Sequence, residues 1–179
     1  PFDTTALGAE TQRLMAEFQE KLPETRFYIE TGRYAVGTAG TYVAKVVDKK
    51  VTHGKNFVLL SATLNGFARP SMVAMLEHFM GNGPIAAWEP IYTGDHSFQM
   101  IPLVETAERE TVTVTGNLCT GTDLVLSDAD MPKMEVGDTV VFPNAGSSAA
   151  VISPMQFASQ PKPAQLFLRA DGTVVNTDF

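Results

Sequence analysis

Cysteine is almost missing from this 179-residue chain: Cys119 is the one thiol. A single thiol forms no internal disulfide, which fits a reducing, cytoplasmic setting or makes the residue a functional candidate. Cations are also scarce, with 13 Lys+Arg against 20 Asp+Glu and a net charge of −7. That balance excludes the broad basic face on which nucleic-acid binding depends. No apolar run approaches the roughly 20 residues of a membrane span, so the chain does not read as an integral membrane protein. The opening Pro1-Phe2-Asp3 lacks the basic and apolar regions of a signal peptide. A start without Met reads as a processed or excised chain. His53, His78 and His96 stand far apart, with no Cys or carboxylate at ligand spacing, so no motif supports a metal site. A phosphate loop ending in Lys and Ser/Thr, a G-x-G-x-x-G turn and a G-x-S-x-G elbow are all absent.

What is present divides unevenly. Leu7, Leu14, Met15, Phe18 and Leu22 form the stripe of an amphipathic helix. Asp3, Thr4 or Thr5 can cap it, and Pro23 stops it. Beyond Pro23 the chain reads mainly as strand. Expected runs are Arg26–Glu30, a Gly-interrupted stretch from Tyr34 to Val47, Phe57–Leu60, Ser97–Val104, Thr111–Gly116, Leu124–Leu126, Thr139–Phe142, Ala149–Ile152, Gln165–Arg169 and Thr173–Val175. Val73, Leu76 and Phe79 have the spacing of one or two helical turns. Short strands separated by Gly, Pro and Asn/Asp clusters predict a mainly β fold, a barrel or a sandwich. The isolated helix and strand at the start look like the last unit of an α/β layer.

Four segments have the residue types for chemistry, and each has a plainer reading. Glu30-Thr31-Gly32-Arg33 places a carboxylate and a guanidinium at a strand end, where α/β folds bind ligands; it also suits a surface salt bridge. Asn65-Gly66-Phe67-Ala68-Arg69-Pro70 holds an Arg between a Gly turn and a Pro, able to fork onto a carboxylate or to sit solvated. Gly116 to Asp123 carries Cys119 near an acid, either a reactive thiol or an inert small side chain. Pro143 to Ala149 is a small-residue loop, fit for close approach to a ligand or for a tight turn.

Taken in order, Glu30-x-Gly32-Arg33-Tyr34, Phe67-Ala68-Arg69-Pro70, Leu118-Cys119-x-Gly121-x-Asp123, Glu135-x-Gly137-Asp138, Asn144-Ala145-Gly146 and Pro161-x-Pro163-Ala164 resemble one family. It is the pyridoxal-phosphate-dependent decarboxylases of ornithine, diaminopimelate and arginine, with the alanine-racemase type of fold. The resemblance runs from about Phe27 to Gly172. It implies a (β/α)8 barrel carrying the cofactor, followed by a C-terminal β-domain of the group-IV decarboxylase type. Residues 1–22 then correspond to a late barrel helix and 26–36 to the last barrel strand. The implied division is a barrel remnant over 1–36 and the β-domain over 37–179. The resemblance also implies a cytoplasmic homodimer with a shared active site and an amino-acid or diamino-acid substrate.

By the same resemblance, Glu30 faces the pyridine nitrogen and Gly32 and Arg33 bind the cofactor phosphate. Arg69 binds a substrate carboxylate. Cys119 reprotonates the carbanion across the dimer interface, and Asp123 holds the interface loop. Departures are equally informative. Thr31 replaces the usual proline. Thr120 stands where relatives often carry an acid for the substrate's distal amine, which disfavours diaminopimelate and ornithine and suits a conjugated diamino acid of siderophore biosynthesis. Ser148 stands where relatives place a tyrosine on the cofactor phosphate. The Schiff-base lysine has no counterpart, since Lys45, Lys49, Lys50 and Lys55 follow the last barrel strand. The chain alone is therefore expected to be inactive. A stand-alone β-barrel binding or interaction domain is the competing reading.

Overall fold

The computed structural model describes residues 3–80 and 98–177. The expected Gly81-Asn82-Gly83-Pro84 turn and the start of the Ser97 strand lie outside them. The chain separates into two compact units, residues 1–31 and 32–179, so the division falls after Thr31.

The first unit is helix α1, Thr4–Lys21. The Asp3 carboxylate accepts from the Thr5 and Ala6 backbone N–H groups at 3.0 and 2.9 Å, satisfying donors that the first turn leaves open. Phe18 meets Phe27 at a ring separation of 6.4 Å. The stripe seen in the sequence has the expected spacing, yet no α1 residue is buried. Residues 26–30 do not form the expected strand. Their β-rich composition favours extension, but a strand needs a ladder partner, and none of the described strands pairs with them.

The second unit opens with a short helix α2, Gly32–Val36, and a 3-10 turn at Gly37–Ala39. This corrects the reading of 34–47 as one bent strand, and of 32–36 as part of a barrel strand. β1 starts only at Tyr42 and runs to Thr52, followed by β2, Lys55–Leu60. His53 and Gly54, with φ of 49° and 74°, make the left-handed two-residue turn that joins them. Helix α3 covers Arg69–Met80, with Pro70 in the first turn, where its missing N–H is harmless. Then follow β3 (Ile101–Pro102), β4 (Arg109–Thr115), β5 (Leu124–Pro132), β6 (Thr139–Phe142), helix α4 (Ala149–Ile152), β7 (Leu166–Leu168) and β8 (Val174–Asn176).

Six strands form one nearly closed, barrel-like sheet in the order β3-β6-β1-β2-β4-β5. β2 and β4 are parallel, while the other pairs are antiparallel. A parallel pair requires a crossover, and the 61–108 connection that supplies it contains the Arg69 turn and α3. β7 and β8 form a separate hairpin. The sheet encloses Val46, Val58, Leu60, Val112, Val114, Met134, Val140 and Phe142, each at most 1% exposed. Phe67 joins this core from a loop, 5.6 Å from the rings of Tyr42 and Phe98 and 6.2 Å from Phe142. Among the described residues, no helix is long and apolar enough to cross a membrane.

The expected strand at Ala149–Ile152 is instead one helical turn. Four consecutive apolar residues carry no period with which to choose between strand and helix. One tertiary bond favours the turn, the Ser153 hydroxyl accepting from the Ala68 N–H at 2.9 Å, and the same hydroxyl donates locally to the Ala149 carbonyl four residues back at 2.6 Å.

Phe67 fills the middle of an aromatic cluster, so Phe67→Ala should lose about 3–5 kcal/mol in urea denaturation. Val51→Ala, at a side chain 70% exposed, should stay within about 0.5 kcal/mol.

Candidate functional site

The centre of the site end is a buried carboxylate. Asp123 is 1% exposed and lies just before β5. Its Oδ1 accepts from the Thr63 hydroxyl and, at 3.0 Å, from the Leu64 N–H. Its Oδ2 accepts from the Leu118 N–H at 3.0 Å. The Asp123 backbone also binds Gly116, whose N–H donates to its carbonyl at 2.9 Å. A Cβ on Gly116 would run into Asp123 Oδ2 and Thr63 Oγ1, so only glycine leaves room for this junction. The carboxylate thereby ties the 116–123 loop to the start of the 63–69 turn.

That turn is built from Thr63 outward. Its carbonyl accepts from Gly66 and Phe67 N–H at 2.9 and 2.6 Å. Phe67 anchors the turn in the core, and Ala68 binds the Ser153 hydroxyl. Arg69 follows at 7% exposure, a cation held on a fixed frame at the first residue of α3. Tyr42 closes the turn from below, its hydroxyl donating to Ala62 O at 3.1 Å. Burial, with the Asp123 charge adding to it, pushes the Tyr42 phenol well above its ordinary value.

A second contact point is made by glycines. The Ala145 N–H donates to Gly40 O, and the Gly146 N–H to Gly37 O, both at 2.9 Å. A Cβ on Gly146 would strike Val36 O, and one on Gly40 would strike Gly146 N and Cα. Gly37 lets the Arg33 stem lie against the backbone, 3.2 Å from where a Cβ would be. The half-buried Arg33 thus sits on a helix turn braced against the Asn144–Gly146 loop, with its Nη1 buried. This places a cation beside closely packed backbone.

The remaining residues expected from the sequence are placed as follows. Gly32 begins α2 and is exposed. Glu30 is exposed at the end of the first unit. Cys119 is an exposed free thiol, next to the Leu118 anchored by Asp123. Thr120 Oγ lies 2.9 Å from Thr122 Oγ and accepts from the Thr122 N–H at 3.3 Å, a local turn. Ser148 is exposed, with φ 55° and ψ 10°, and its side chain does not cap α4. Lys49 pairs with Glu110 at 3.2 Å and Lys55 with Asp128 at 2.7 Å on the strands.

Sequence reasoning missed Thr63, Gly116 and Ser153. Thr63 and Ser153, small and polar, have no motif, and their roles come from bonds to residues 60 and 85 positions away; Gly116 is set by the Asp123 and Thr63 side chains that fill the space of a Cβ. In the sequence Gly40 only interrupts the Tyr34–Val47 stretch, whereas its packing against Gly146 is the stronger constraint.

A methyl on Gly146 collides with backbone, so Gly146→Ala should cost about 1–3 kcal/mol in thermal or urea unfolding. Gly121→Ala, with open space around it, is the control. For Tyr42 the folded state resists ionisation. Below the ordinary value of 10.0 both states keep the proton, and stability is unaffected. Above it the unfolded chain loses the proton first, so stability falls as pH rises. Urea midpoints at pH 8 and pH 11 should show this loss, and Tyr42→Phe should reduce it.

The sequence pattern of the pyridoxal-dependent decarboxylase C-terminal sheet domain matches residues 27–146. The chain is 29% identical, over 83% of its length and 32% of the relative, to an L-glutamyl-[BtrI acyl-carrier protein] decarboxylase from Niallia circulans. It is 27% identical to a 2-[(L-alanin-3-ylcarbamoyl)methyl]-2-hydroxybutanedioate decarboxylase from Staphylococcus aureus, over 84% of this chain and 35% of that one. Its fold resembles a crystal structure of diaminopimelate decarboxylase from Helicobacter pylori complexed with L-lysine. The TM-score is 0.59 at 26% identity, over 82% of this chain and 30% of that one. The chain therefore spans about a third of the length of the relatives it matches. With its β-rich sheet domain and the match over most of its length, the chain belongs to the pyridoxal-dependent decarboxylases, as a C-terminal sheet domain of that family.

Proposed function

We propose that the polypeptide containing this chain decarboxylates an amino acid with pyridoxal phosphate, as a homodimer with a shared active site, and that this chain supplies the cofactor-contacting and proton-delivering residues. The observation that carries this reading is the Asp123 junction, which holds the Cys119 loop and the Arg69 turn together. When bound, pyridoxal phosphate supplies an electron-accepting ring for the pair left on the α-carbon as CO2 departs.

The residues of this chain act around that chemistry. Glu30 keeps a proton on the ring nitrogen. Gly32 and Arg33 hold the phosphate, with Arg33 braced by Gly37. Arg69 forks onto a substrate carboxylate, and its burial strengthens that bond by excluding water. Cys119, exposed at a loop tip, reaches a neighbouring copy and gives its proton to the α-carbon. Asp123 fixes that loop at the interface. The anchoring lysine is assigned outside this chain, since Lys45, Lys49, Lys50 and Lys55 all follow the segment that resembles the last barrel strand. The isolated chain is accordingly inactive.

The substrate has a neutral or conjugated far end. Thr120 offers a hydroxyl turned toward Thr122, not a carboxylate able to grip a distal ammonium. The conjugated compound named for the Staphylococcus relative fits this better than a free diamino acid. A non-catalytic binding domain is the second reading, favoured by Ser148, whose exposed side chain offers no phenol to a phosphate.

In the full-length polypeptide, Cys119→Ala should lower kcat by about 10²-fold or more with little change in KM. Arg69→Lys should mainly raise KM. Steady-state assays check both; unchanged kinetics in Cys119→Ala would remove the thiol from the mechanism. If the full-length protein shows no cofactor absorbance after loading, the binding-domain reading holds instead. Across basic, dicarboxylic and citryl-conjugated diamino acids, Thr120→Asp should shift preference toward substrates with a free distal amine. Diaminopimelate or ornithine as the best unmodified substrate would overturn the assignment of Thr120.

A further inference from the structure

We infer that Thr63 is a positioning residue: through its bond to Asp123 it sets the Arg69 turn and the Cys119 loop in one fixed relation. The inference rests on the decarboxylase reading above for its consequence, but not for its geometry.

Thr63 is 1% exposed and faces both ways. Its hydroxyl donates to Asp123 Oδ1, while its carbonyl accepts the Gly66 and Phe67 N–H groups that fold the turn toward Arg69. On the far side of the same carboxylate, Oδ2 holds the Leu118 N–H, one residue before Cys119. The continuous path is therefore Leu118, Asp123, Thr63, the Gly66–Phe67 turn, Ala68 and Arg69. Each step is a hydrogen bond or a direct chain neighbour. These donors are neutral, so the burial cost of the carboxylate is offset by the number and geometry of its bonds. Removing the hydroxyl leaves Oδ1 with the Leu64 N–H alone among the donors described. Both loops then lose a shared reference point, although neither Arg69 nor Cys119 is touched.

Gly116 offers an independent way to disturb the pair. A methyl there would overlap Asp123 Oδ2 and Thr63 Oγ1 while removing neither. Thr63→Val deletes the hydroxyl at nearly constant volume, and Thr63→Ser restores it.

The test uses the full-length polypeptide in its cofactor-loaded form, followed by hydrogen exchange and peptide mass spectrometry. Thr63→Val should speed exchange in peptides covering 116–123 by about tenfold, the effect of losing one charge-assisted bond. Gly116→Ala should speed it in peptides covering 63–69. Thr63→Ser, which keeps the hydroxyl, should leave the 116–123 peptides at the unmodified rate, and a control peptide over 55–60 should not change in any variant. Acceleration confined to the mutated loop, or equal in the control peptide, overturns the inference, since a merely structural role loosens either the local segment or the whole domain. If Thr63→Val does not fold, Gly116→Ala and Thr63→Ser decide by the same criterion. In steady-state kinetics Thr63→Val should lower kcat and raise KM together. Cross-loop exchange without a kinetic effect would leave Thr63 joining the loops but overturn its positioning role in catalysis; the Cys119→Ala kinetics above test the decarboxylase reading separately.

Discussion

The buried carboxylate of Asp123 is the constraint on which the site end of the domain depends. An acid at 1% exposure is tolerable only where its oxygens are saturated by donors. Here the donors come from segments about 60 residues apart in sequence. The loop after β2 and the loop before β5 therefore cannot move independently without exposing a charge to an apolar interior. The same requirement explains Gly116, because the carboxylate occupies the space in which any side chain would stand.

Around that junction the sheet provides rigidity. β2 and β4 lie side by side and parallel in the middle of the sheet, so the loops leaving their ends start close together. The 63–69 turn leaves the end of β2, and the 116–123 loop leaves the end of β4. Asp123 then needs only short bonds to join them. Phe67 adds an apolar anchor under the first of these loops, and Ser153 links it to the turn of α4. A cation, a thiol and a small-residue loop are thus carried by one end of a well-packed domain, the arrangement expected when function sits on loops and stability in the sheet.

The glycine contact between 37–40 and 145–146 has a different physical origin. Two backbones approach so closely that a methyl on either side would overlap main-chain atoms. The contact lies where the helical turns of 32–39 end, just before β1 begins at Tyr42. Aromatic and β-branched residues such as Tyr34 and Val36 favour extension locally, and tertiary packing overrides them.

The sequence by itself determined the composition-level facts and the elements with a clear period or motif: helix α1, β6 at Thr139–Phe142, the mainly β character, and the order of motifs that relates the chain to the decarboxylases. These follow from side-chain type and short-range spacing, which the chain carries whatever its fold. Only the tertiary structure decided that Ala149–Ile152 is helical, that none of the described strands pairs with 26–30, and that Thr63, Gly116 and Ser153 matter. Each depends on a hydrogen bond or a steric overlap between segments distant in sequence, and no local pattern encodes such a meeting. Asp123 lies between the two. Its spacing from Cys119 was readable from the sequence, but the bonds that make it the centre of the site end exist only when β2 and β4 are side by side.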